Sequence, residues 1–133
     1  MDIKELAEVC DMDNEDSFIS LYINNFDEKF IERRINECKN VLKNEKMHEN
    51  FEKSMEMIYE HINKNIKHRA MFASYKNNFF KEYEILPSEN LLVVDSSPHI
   101  KPMVKMIDEY DNYGLVLVNS HKAKIYIDNN GQA

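Results

Sequence analysis

Near Lys64 the spacing of apolar residues switches from two successive helical stripes to strand-like runs, and that switch limits the folds open to the chain. Over residues 27–44, Ile31, Ile35, Cys38 and Leu42 form one stripe, widened by Phe30 and Val41. Glu28 and Glu32 near the start and Lys43 near the end suit the helix dipole. Over residues 47–64, Phe51, Met55, Ile58 and Ile62 repeat the pattern, with Tyr59 beside them. The connection at residues 44–46 is short, so the helices are expected to be antiparallel neighbours. A single bent helix stays open as an alternative, since no Pro or Gly forces a break. After Lys64 the pattern becomes strand-like. Residues 70–75 and 79–86 read as strands, and Lys76-Asn77-Asn78 supplies the turn because Asn tolerates positive φ. Residues 87–90 form a loop, and the apolar run at 91–94 reads as a buried strand.

The flanks complete the pattern. Ile3, Leu6, Ala7 and Cys10 predict a short N-terminal helix with Asp2 as its cap. Residues 11–16 are an acidic loop, and residues 17–24 suit a strand. Ser97 and Pro98 signal a helix start, although Pro102 would remove an early hydrogen bond and move that start a turn later. Ile100, Met103, Val104 and Ile107 give this helix its apolar stripe. Residues 115–118 and 123–127 read as closing strands, with Ser120-His121 as the turn. The order helix, strand, helix, helix, three strands, helix, two strands predicts an α/β (α+β) domain with a mixed β-sheet flanked by helices.

The chain has 133 residues, a length suited to one domain, and 43% of them are hydrophobic. No apolar run is long enough to span a membrane. The acidic start, without an apolar segment, predicts no signal peptide. Cys10 and Cys38 are too few for a disulfide framework, and both are expected to be reduced core thiols of a cytoplasmic protein. The net charge of −7 is concentrated at the N-terminus, where Asp2, Glu5, Glu8, Asp11, Asp13, Glu15 and Asp16 face one base, Lys4. Bulk charge gives no support for strong nucleic-acid binding.

Little of the sequence suggests chemistry. His48, His61, His68, His99 and His121 are scattered and make no metal-ligand set. With 2 Gly in the chain, no glycine-rich phosphate loop can form, and no cofactor is expected. Ser96, Ser97 and His99 are adjacent in sequence, but adjacency is not triad geometry. Asp95, Asp108 and Glu109 could do acid–base work, yet helix-end or solvated roles suit them better. The chain is therefore read as non-catalytic. One interval is distinctive. Between Glu60 and Glu82 there is no acid, while Lys64, Lys67, Arg69, Lys76 and Lys81 stand among Phe72, Tyr75, Phe79 and Phe80. An RNA-contacting loop and hairpin would use that combination, cations for phosphate and rings for bases. The plainer reading makes the rings core residues and the lysines a solvated face.

Three stretches together resemble the archaeo-eukaryotic class I peptide-chain release factors and their shorter bacterial and archaeal relatives. They are the SLYI run at residues 20–23, the LLVVDSSPHIKPMV segment at 91–104, and IDEYDNYGLVLVN at 107–119 followed by KAKIY at 122–126. The resemblance is most specific from Leu91 to Ile127. It implies that residues 1–112 are the N-terminal α/β domain of such a protein and that residues 113–133 are the opening hairpin of its middle domain. The chain then reads as a truncated piece of a longer protein. The family reads stop codons through an Asn-Ile-Lys-Ser loop; here Asn65-Ile66-Lys67-His68 precedes a strand rather than a helix, and codon reading is not carried over. The family's catalytic Gly-Gly-Gln loop is not matched either, since Asn130-Gly131-Gln132 comes too early and lacks the first Gly. The implied function is a non-catalytic, translation-related domain that binds ribosomal RNA or a ribosome-associated partner, with Lys64, Lys67, Arg69, Lys76 and Lys81 as the RNA-binding candidates. The alternatives are part of a peptidyl-tRNA or RNA-processing hydrolase whose catalytic loop lies elsewhere, or a protein-interaction module that docks through residues 2–16. A hairpin at 114–127 without its sheet partners would also favour a homodimer through its edge strands.

Overall fold

The computed structural model describes residues 3–62 and 69–112. Its elements run α1 (Ile3–Ala7), β1 (Phe18–Ile23), α2 (Glu28–Val41), α3 (Glu45–His61), β2 (Arg69–Ser74), β3 (Phe79–Tyr83), β4 (Leu91–Asp95) and α4 (Lys101–Asn112). The α+β architecture is the one the sequence predicts. The four strands form one sheet in the order β3-β2-β1-β4. All three pairings are antiparallel, so the parallel member of the expected mixed sheet has no counterpart among the described residues. The closing strands expected at 115–118 and 123–127, and with them the 114–127 dimer edge, lie outside the described residues.

Helices cover both faces. Ile19, Leu21 and Ile23 of β1 and Met71 and Ala73 of β2 point into one core with Ile31 and Cys38 of α2 and Phe51, Met55 and Ile58 of α3. Tyr22, Ala70 and Phe72 point the other way, against Leu6 of α1 and Met103 and Met106 of α4. This explains why FISLYI and RAMFAS lack clean alternation: every residue of β1 and β2 is buried. A strand that is central and covered on both faces has no solvated side to mark with polar residues.

Local chemistry sets the helix starts. The Asp27 carboxylate accepts from the Phe30 N–H at 3.1 Å, and the Asn44 side chain accepts from the Met47 N–H at 2.8 Å. Asn44 thus ends the bent-helix alternative, because it holds extended backbone between two separate helices. Asn78 takes φ 49° in the turn between β2 and β3, as that turn's composition suggested.

Other details differ from the sequence reading. Helix α4 begins at Lys101, and Ser97-Pro98 does not start it. The reason is tertiary: the backbone of His99 is tied to β1, which keeps residues 98–100 out of the helix. Pro102 then falls in the first turn, where its missing N–H has no helical partner to lose. Cys10 is exposed, while Cys38 is buried. Helix α1 stops at Ala7, so Cys10 never joins its apolar stripe. Val41 and Tyr59, both placed with apolar stripes, are exposed.

Candidate functional site

The five candidate cations do not form a patch among the described residues. Lys64 and Lys67 lie outside those residues. Arg69 opens β2 and is only 4% exposed. Its Nη1 pairs with the Glu82 carboxylate on the neighbouring strand and donates to the His61 carbonyl at 2.5 Å. Burial and pairing together remove this guanidinium from any phosphate. Lys81 is exposed on β3, opposite Phe72 in register. Arg69 shares a sheet face with Met71, and Lys81 shares the opposite face with Phe72, because side chains alternate along a strand.

Lys76 sits in the turn after β2 and serves an internal network. Its Nζ lies 3.0 Å from Asp11, 3.0 Å from Asp13 and 2.6 Å from Glu15. Three anions around one ammonium raise the Lys76 pKa above the usual lysine value, the hydrogen bond to Glu15 contributing most. Asp11 is the hub. Burial alone would raise its pKa, but the Ser17 hydroxyl, the amides of Glu15 and Asp13 and the Lys76 ammonium outweigh burial and hold the carboxyl well below the ordinary range. Its Oδ1 accepts from the N–H of Asp13 at 2.8 Å and of Glu15 at 3.1 Å, and Ser17 donates its hydroxyl proton to Oδ2. Asn77 Nδ2 donates to Ser17 Oγ at 3.0 Å and to Ser74 Oγ at 2.8 Å. Asn50 of α3 donates to the Ser17 carbonyl at 3.1 Å and accepts the Lys76 N–H at 2.7 Å. One polar latch therefore joins the acidic loop, the β2–β3 turn and α3.

Asp11, Asp13 and Glu15 each offer an oxygen within 4.8 Å of the others, a spacing that suits a cation. The histidine and cysteine spacings that mark a metal site in a sequence do not point to this alternation of acids. The cation beside it is the chain's own Lys76, so the trio acts as a salt-bridge anchor. The same bonds take Asp11, which is buried, out of the acidic surface considered for a basic partner, while Asp13 and Asp16 stay exposed.

Ser96, Ser97 and His99 make no triad. The Ser96 carbonyl accepts from the Asp11 N–H at 2.8 Å. The Ser96 N–H donates to the Asp95 carboxylate at 2.6 Å. The His99 backbone bridges to β1 instead: its N–H donates to Ser20 Oγ at 2.8 Å, and its carbonyl accepts from the Tyr22 hydroxyl at 2.6 Å. Burial pushes the Tyr22 hydroxyl above the usual phenol range, so it stays protonated and remains a donor. The sequence contained both partners of this clamp but no sign that they meet. Asn65-Ile66-Lys67-His68 and Asn130-Gly131-Gln132 lie outside the described residues. No described helix is long and apolar enough to cross a membrane. Set against known proteins, the chain matches no family model and no curated protein.

Proposed function

We propose that this chain is a non-catalytic, translation-related module, similar to the N-terminal region of a class I release factor, that docks on ribosomal RNA or a ribosome-associated partner. The observation that carries the reading is the clamp between Ser20, Tyr22 and His99. The SLYI run and the segment at 91–104 are the first two stretches of the resemblance, and they are far apart in sequence. Their meeting through paired hydrogen bonds supports their being one structural unit rather than separate chance matches. The binding surface is assigned to Lys64, Lys67 and Lys81; Arg69 and Lys76 are assigned to the fold.

Co-sedimentation with purified ribosomes across a salt series tests this. The wild-type chain is expected to pellet with ribosomes at low salt and to release as salt rises. A K64E/K67E/K81E variant is expected to lose most of that association and to flatten the log–log salt slope by about 2. Association that survives all three reversals, in a variant with an unchanged circular dichroism spectrum, overturns the assignment.

A further inference from the structure

We draw no further inference here: the strongest candidate, the Asp11, Asp13 and Glu15 carboxylate cluster in the loop before β1, belongs to the latch already described, where the Lys76 ammonium is its cation and nothing else among the described residues points to a ligand.

Discussion

Arg69 and Lys76 flank the same strand, β2, and both were candidates for contacting phosphate, yet the fold uses them in different ways. Arg69 is buried against one carboxylate and one carbonyl, with a core on its side of the sheet. Lys76 is partly exposed and answers three carboxylates, one of which is itself held by a hydroxyl and two amides. The difference lies in redundancy. A buried cation with a single anionic partner has no substitute when that partner goes, because water cannot reach it. The Lys76 latch distributes its load over several groups, so each loss is partial.

The first test of this contrast is E82A. It leaves a buried guanidinium without its carboxylate, and it is expected to cost about 3 kcal/mol in urea unfolding. Replacing both partners by apolar residues, as in R69M/E82L, should recover much of that loss, since the cost lies in the unpaired charge. Recovery that fails would show that packing around Arg69, rather than its charge, governs this end of β2.

D11N comes next, at about 1 to 2 kcal/mol, because the amide keeps an acceptor for the Asp13 and Glu15 N–H groups and loses the charge facing Lys76. It also carries a pH signature. The folded pKa of Asp11 lies below its unfolded value of about 4. Its stabilisation is therefore complete above the unfolded pKa and is lost as pH falls through the folded one. Urea midpoints measured from neutral pH downward should show D11N costing most at neutral pH and progressively less on the acid side. A constant difference would mean that the hydrogen-bond geometry, and not the charge, carries the latch.

The smallest effect is expected from K81E. This side chain is exposed, and among the described residues no buried network depends on it, so the urea midpoint should not move. A clear destabilisation would place Lys81 with Arg69 and Lys76 as a structural cation and remove it from the binding surface.

Much of the architecture was legible because it rests on local chemistry. Asp27 and Asn44 announce helix starts through side chains that reach three residues ahead. Asn78 suits a turn because its backbone tolerates positive φ. The apolar stripe from Ile31 to Cys38 points to a core whatever covers it. The candidate site was much less legible. The acid-free interval from Glu60 to Glu82 looks like an exposed basic surface in one dimension. Arg69 is paired with Glu82 across two strands, and Lys76 with Asp11 from the far side of β1. Neither partner is marked by spacing.

The order of the described helices and strands and the turn at Asn78 follow from residue type and period, which act over a few positions at a time, whereas β1 and β2 are buried because helices cover both faces of the sheet. Which charges are paired and where α4 begins were decided by contacts between segments distant in sequence. His99 reaches back to Ser20 and Tyr22, and Arg34 reaches forward to Leu92. An ionic group or a backbone carbonyl takes whichever partner the fold brings within about 3 Å, and a sequence read along its length does not contain that distance.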